Sequence, residues 1–417
     1  MKVLILGSGA REHALAWKFS KSNRLTGLFI GPGNAGCGEI GTLVPNLDPC
    51  NPNQVLEVCH NNKIDLVFVG GEAPLEAGIA DALESAGIAV VGPKKASARL
   101  ESSKVFSKEF MVNNQVPTAE AKRFSDIKTF QEFISGIQGK WVVKKSGLAA
   151  GKGVLESEDT GELLDFGRSI LKNDELLVEE FLTGFEVSVF VLSDGLNYKV
   201  LPPCADFKKA QEGDLGRNTG GMGAICPVPT VTSELWSRIQ TEVVETTMKG
   251  LNKEGINFKG VLFIGVMVTE TGPKVLEYNV RFGDPEAQVL LPLIKSDFAN
   301  LCEAIVQGSL DQFHFQISDQ SALGVVVASP GYPGNYEKNL PVTQIPETIS
   351  TKNKVFHAST KRDLDNTLKT TGGRCFTCVG MGENFQVARE RAYRTAQNLS
   401  FKGAWFRKDI GEKFFLD

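Results

Sequence analysis

Through the first hundred residues the apolar positions fall in short, almost unbroken runs, at Lys2–Leu6, Leu25–Ile30, Asp65–Val69 and Ile88–Val91. Runs of that length predict buried strands. Between them, Arg11–Ser20, Pro52–Asn61 and Ala77–Ala86 carry apolar residues at helical spacing. Such alternation predicts an α/β unit with a doubly wound parallel sheet and right-handed crossovers. Each predicted strand runs into a glycine turn: Gly7-Ser-Gly9, Gly31-Pro-Gly33-Asn34, Gly70-Gly-Glu72 and Gly92-Pro93. Open α/β sheets bind ligands at these carboxyl ends, so the turns are expected to line one crevice.

The pattern then changes. A helix over Lys104–Asn113 leads through Val116-Pro117 to a strand at Trp141–Lys144, a glycine-rich loop over 145–153 and a second strand from Val154. Two strands joined this way can lay backbone N–H groups and Lys152 over a phosphate chain, or form only a flexible hairpin. The spacing is not that of a P-loop, and a strand follows it instead of a helix. Leu176–Leu182 reads as a core strand whose edge could also hold a planar base. Gly213–Ala224 holds five glycines in twelve residues and cannot be regular structure. Gly260–Val268 pairs with Lys274–Val280 as a hairpin, and a small α+β unit follows from about Ser321. The predicted domains are 1–103 (N-terminal α/β), 104–322 (with a mobile subdomain at about 118–190) and 323–417 (C-terminal α+β).

One stretch stands out. Along Lys274–Glu286, Leu276, Tyr278 and Val280 share one face of a strand, while Glu277, Asn279 and Arg281 share the other. A carboxylate, an amide oxygen and a guanidinium suit a divalent ion shared with phosphates, with Arg281 as a fork for an anion. A solvated edge strand with an ion pair explains the same residues.

Composition narrows the choice. Hydrophobic residues make up 42%, charged residues 23%, the net charge is −4 and mean hydropathy −0.09. No basic field is present to recruit nucleic acid, and no apolar stretch is long enough for a membrane helix. The first residues read as a strand rather than a leader. Eight scattered cysteines are expected as free thiols in a reducing, cytoplasmic setting, and Cys375-Phe-Thr-Cys378 lacks partners for a zinc site. A dinucleotide fold is disfavoured, because Glu12 replaces the third glycine of the fingerprint and no acidic residue closes the second strand. The first helix N-terminus remains a candidate phosphate site, helped by Arg11, or else a tight turn with no ligand.

The ordered motifs carry a resemblance. Gly-x-Gly-x-Arg-Glu-His-Ala at 7–14, Pro-Gly-Asn-Ala-Gly at 32–36 and Gly-Glu-Ala-Pro-Leu at 71–75 are followed by the 147–153 loop, Asn-Thr-Gly-Gly-Met-Gly-Ala at 218–224 and Asn-Val-Arg-Phe-Gly-Asp-Pro-Glu at 279–286. The whole chain resembles the ATP-grasp ligases and, among them, the glycinamide ribonucleotide synthetase family. The resemblance implies an N-terminal pre-ATP-grasp domain, an ATP-grasp core with a lid and a small C-terminal domain. It implies that ATP, glycine and 5-phosphoribosylamine give glycinamide ribonucleotide, ADP and phosphate through a glycyl phosphate. Glu277 and Asn279 match the family's ligands for Mg²⁺ (or Mn²⁺). Lys104, Lys144, Gly151, Gly153, Glu179, Glu180, Phe181, Leu182 and Glu186 match its ATP-binding positions. Arg281, Lys152 and Asp284 are implied in catalysis, with Arg281 and Asp284 near glycine. Gly9, Arg11, Asn34, Glu72, Asp206, Lys208, Thr219, Gly220, Gly221 and Met222 fall where phosphoribosylamine is expected. No nucleic-acid or membrane partner is implied, and a monomer or weak homodimer is expected. Phe207 and Lys209 stand where the family favours His and Arg, and Arg217 where it favours Pro. Weaker or altered substrate binding is the expected consequence.

Overall fold

A computed structural model describes residues 1–149, 153–346 and 352–414. The N-terminal strands are β1 (Lys2–Gly7), β2 (Gly27–Pro32), β3 (Thr42–Leu43), β4 (Leu66–Val69) and β5 (Ala89–Val91). They form one parallel sheet in the order β3-β2-β1-β4-β5. Helices Ala10–Phe19 and Pro52–Asn62 match the apolar spacing, whereas the segment expected as one helix over 77–86 is two, Glu72–Glu76 and Ile79–Ser85. The break is at Gly78, whose φ of 86° lies outside the right-handed helical region.

The next sheet is a hairpin layer of β6 (Ala121–Phe124), β7 (Trp141–Lys145), β8 (Val154–Ser157) and β9 (Leu176–Glu180), ordered β6-β9-β7-β8. It has its own small core around Phe124, Phe130, Val143 and Leu176. That separate core makes it a subdomain, and its sheet ends at Glu180. β10 (Phe185–Asp194) already belongs to the central antiparallel sheet, with β11 (Tyr198–Val200), β16 (Lys259–Thr269) and β17 (Gly272–Asn279).

The chain between β11 and β16 departs furthest from the sequence expectation. β12 (Ala205–Asp206) and β15 (Gly223–Cys226) add to the C-terminal sheet, whose other strands are β18 (Ser321–Ala328), β20 (Asn353–His357) and β23 (Arg374–Gly382). Between them, β13 (Lys209–Gln211) and β14 (Leu215–Asn218) form a small antiparallel arm. The glycine-rich stretch is therefore partly a hairpin. Gly213, Gly216 and Gly221 nevertheless sit at φ of 71°, 81° and 109°, so the positive φ expected there is present.

The three parts share cores. Phe19 of the first helix, Phe68 of β4, Phe282 and Phe298 stack together with Phe190 and Phe263 of the central sheet. The C-terminal unit closes onto the N-terminal one: His357 N donates to His13 Nδ1 at 2.8 Å, Ala35 N to Thr360 O at 3.2 Å, and Arg362 pairs with Glu39 at 2.7 Å.

Candidate active site

The site grows from β17. Strand alternation puts Glu277 and Asn279 on one face, and Arg281 follows just past the strand. Burial pushes the Glu277 carboxyl up, but Lys104, Lys208 and Lys144 outweigh it and hold the group below its usual range. Among the described residues its carboxylate accepts no hydrogen bond and Lys104 Nζ donates none, although both line the cleft. Arg281, in contrast, is anchored: Nε lies 3.2 Å from Glu72 Oε2, and Nη2 lies 2.8 Å from Glu101 Oε1 and 3.2 Å from Asn279 Oδ1.

Opposite β17 stands a buried ionic triad. Glu179 of β9 receives Lys144 of β7 at 2.7 Å and Lys108 of the Lys104–Asn113 helix at 3.1 Å. Lys144 Nζ also donates to Leu276 O at 3.2 Å, so the carboxylate fixes this ammonium against β17. Burial raises the Glu179 carboxyl, yet the two lysines win and its acid strength is increased. Thus Glu179 acts on Lys144, whereas the resemblance places it at adenosine. Lys108 was missed, although it follows Lys104 by four residues on one helix face, a spacing that could have drawn attention to it. Glu180 is tied to Lys274 at 2.8 Å and to Glu120 N, and Lys140 Nζ stands 3.7 Å from the Phe181 ring centroid. Leu182 is buried. Gly153 O accepts from Lys145 N at 2.7 Å, closing the β7–β8 hairpin, while Gly151 and Lys152 lie outside the described residues.

The residues expected to hold phosphoribosylamine divide into two groups. Lys208 acts on the Glu277 carboxyl and pairs with Glu186, joining positions expected in separate subsites, and Asp206 lies beside it. Burial drives the Asp206 carboxyl up; Lys208 opposes this and Glu286 and Glu186 reinforce it, leaving it at about 7. Thr219 Oγ1 donates to Lys208 O at 2.8 Å and accepts from Gly221 N at 2.9 Å, which shapes the loop entering the site.

Other expected positions are structural here. Asn34 spends its amide on protein: Nδ2 donates to Ser8 O, Gly9 O and His357 O, and Oδ1 accepts from Cys37 N. Met222 is fully buried in the C-terminal core. Glu12, not a ligand, occupies the first helix N-terminus: its carboxylate accepts from Gly9 N at 2.6 Å and from Arg11 Nε at 2.7 Å. Arg11 also donates to Phe282 O at 3.0 Å. A built-in carboxylate thus caps the Gly9 N–H at this helix N-terminus. Phe207 is a further correction. Alternation turns Phe207 away from Asp206 and Lys208, and its ring lies against Phe414, Lys413 and Arg407.

Sequence reasoning also missed Arg374, which begins β23. Its Nη1 donates to Gly220 O at 2.5 Å, Gly221 O at 3.3 Å and Asp284 O at 2.8 Å, with the Asp284 carboxylate 3.4 Å away. Nothing in the sequence marks it, because it lies 90 residues from Asp284 along the chain. Asp284 is held from the other side by Gln288 at 2.8 Å, and its carboxyl is pushed up by burial but drawn lower by Arg374 and Arg11.

A divalent cation fits this face. Glu277 offers an unpaired carboxylate and Asn279 an amide oxygen, and no group of three or more His, Cys, Asp or Glu side chains gathers among the described residues. Two protein oxygens with the remainder from phosphate and water is the arrangement Mg²⁺ favours. All eight cysteines are free, and Cys375 and Cys378 are both buried in the C-terminal core. No helix among the described residues is long and apolar enough to cross a membrane.

Comparison with known proteins agrees with this geometry. Family models for phosphoribosylglycinamide synthetase match in three parts, the N domain over 1–101, the ATP-grasp (A) domain over 102–287 and the C domain over 322–413. A phosphoribosylamine–glycine ligase of Rhodopirellula baltica is 42% identical, over 99% of this chain and 97% of that protein. One from Agrobacterium fabrum is 43% identical over 99% and 98%. The crystal structure of phosphoribosylamine–glycine ligase from Thermotoga maritima superposes with a TM-score of 0.86 at 33% identity, covering 98% of this chain and 100% of that one. With a continuous match from the first strand to the C-terminal helix, the chain belongs to the phosphoribosylglycinamide synthetase family.

Proposed function

We propose that the protein is an ATP-dependent ligase that joins glycine to 5-phosphoribosylamine, forming glycinamide ribonucleotide, ADP and phosphate. The observation that carries this reading is the cleft between β17 and the β7–β9 sheet. There the Lys104 ammonium, unpaired among the described residues, and the Lys144 ammonium, braced by Glu179, face Glu277 and Asn279.

In the first half-reaction a glycine carboxylate oxygen attacks the γ-phosphorus and the bond to the ADP oxygen breaks. Two anions must approach, so positioning and charge neutralisation are what the site has to supply. Lys104 and Lys144 meet phosphate oxygens, and Arg281 and Asp284 orient glycine. A Mg²⁺ or Mn²⁺ ion held by Glu277 and Asn279 would neutralise charge on the phosphates. Phe181, Leu182 and the backbone at Glu180 flank the adenosine. In the second half-reaction the ribosylamine nitrogen attacks the acyl carbon, phosphate leaves, and the nitrogen sheds a proton. Asp206, Lys208 and the Thr219–Gly221 loop receive this amine.

For the assembly we propose a monomer or a weak homodimer. Free thiols suit a reducing compartment, and we place the reaction in the cytoplasm. The test is ADP release from Mg²⁺-ATP with glycine, with ribosylamine 5-phosphate made in situ, or with both. Release that requires both, with glycinamide ribonucleotide detected by mass, is the expected result. Release that responds to a different carboxylate–amine pair would refute the substrate assignment and leave an ATP-grasp ligase of other specificity.

A further inference from the structure

Resting on the ligase reading above, we propose that Arg374 is a positioning residue for the amine-accepting half of the reaction. The C-terminal domain, to which no chemistry was assigned, thereby sets where the acceptor amine sits. The segment from Asp206 to Gly223 connects two strands of the C-terminal sheet, β12 and β15. Its stem is closed by the β13–β14 arm and by the bonds from Thr219 N to Lys208 O and from Met222 N to Phe207 O, which leaves the Gly220–Gly221 carbonyls at its tip for an external anchor.

Arg374 is that anchor. One guanidinium nitrogen gathers three carbonyls, of Gly220, Gly221 and Asp284, and so fastens the acceptor loop to the turn that follows Arg281. The loop is shaped for this contact. A Cβ at Gly220 would stand 2.9 Å from Arg374 Cζ, and one at Gly221 would stand 2.4 Å from Pro285 Cδ. Tyr332, also from the C-terminal domain, accepts from Gly220 N at 3.1 Å. The groups expected to act on the phosphates, Lys104, Lys144, Glu277 and Asn279, make no contact with Arg374 in the hydrogen bonds and ion pairs of the described residues. Arg374 also meets Asp284, which orients glycine, so loss of the anchor should displace the amine and raise the KM for glycine, while sparing glycyl phosphate formation at saturating glycine.

The two half-reactions can be read separately. Hydroxylamine, small enough to need no binding site, traps the acyl phosphate as glycine hydroxamate in the absence of ribosylamine. For Arg374→Met the expected result is a loss of about 100-fold in kcat/KM for phosphoribosylamine, the scale of a displacement of roughly 1 Å. Hydroxamate formation at saturating glycine and nucleotide affinity should stay within about threefold. Arg374→Lys, whose ammonium carries three donors for the three carbonyls gathered at Nη1, should recover part of the loss. Should Arg374→Met fail to fold, Gly220→Ala displaces the guanidinium from the other side and should give the same selective loss. Equal loss in both half-reactions would mean a merely structural role and overturn the proposal. A wild-type enzyme that makes hydroxamate but ignores ribosylamine would refute the substrate reading, and this proposal with it. Selective loss in the variant of a responsive enzyme supports both.

Discussion

The junction between the N-terminal and C-terminal units should be sensitive to acid in the window from about pH 6.5 down to about pH 4, where a free histidine protonates and these two do not. His13 and His357 are 7% and 4% exposed, and their ring centroids stand 5.5 Å apart. His13 Nδ1 accepts the His357 backbone N–H, so that nitrogen has to stay unprotonated for the contact to exist. Burial lowers the His13 ring to about 3, helped by His357. Burial likewise lowers His357 to about 4, with Glu39 opposing and Arg362 assisting.

The sign follows from linkage. Both rings are neutral in the folded protein throughout that window, whereas in the unfolded chain they take up protons below about 6.5. Stability is therefore complete above the unfolded value and is lost as pH falls, levelling off near the folded values. At pH 5 an unfolded histidine gains about 2 kcal/mol from protonation that the folded one cannot match, so the pair costs up to about 4 kcal/mol. Urea unfolding at pH 7.5 and pH 5 reads this directly, by comparing wild type with His13→Gln. The glutamine oxygen can still accept the His357 N–H but does not titrate. The variant should lose roughly half of the pH-dependent drop, whatever its absolute stability. An unchanged drop would show that other groups set the acid sensitivity, and would refute the reasoning from the buried pair.

Three further outcomes are expected. Glu179→Gln leaves Lys108 and Lys144 facing each other without their shared carboxylate, which should destabilise the fold by about 3 kcal/mol in urea unfolding and raise the KM for ATP; unchanged unfolding would contradict the bracing role. Glu277→Gln should lower turnover by about 100-fold while the unfolding midpoint holds, with divalent-ion titration of the residual activity shifted to higher concentration. Phe207→Ala, emptying a site that is 2% exposed, should cost about 3 kcal/mol of stability, yet the KM for ribosylamine should change less than about twofold on the scale of an uninvolved side chain; Phe207→His should also leave that KM alone.

Legibility in the sequence tracked the range over which each residue's partners act. Where a side chain's environment is set by its own strand or helix, the pattern sufficed. Runs of four to six apolar residues located the N-terminal strands to within about two positions of those observed, and period-two alternation put Glu277 and Asn279 on the face they occupy. The same alternation, applied to Asp206-Phe207-Lys208, would have turned Phe207 away from the substrate side. What could not be read was everything set by long-range closure. Glu101 lies 180 residues from Arg281, and Arg374 lies 154 from Gly220. Neither carries a local signature, since a carboxylate on a helix and an arginine at a strand start are ordinary surface choices until the fold buries them. The Glu12 carboxylate shows the same limit inside one turn. From sequence it was a broken glycine fingerprint, but in space it is the anion that completes the helix terminus, with Gly7 and Gly70 each bare because a Cβ would stand within 2.8 Å of its side chain. The two glycines and the glutamate are thus one packing solution. Replacing Glu12 with glycine would not restore a dinucleotide site, because it would leave Arg11 without its closest carboxylate and the helix N-terminus open.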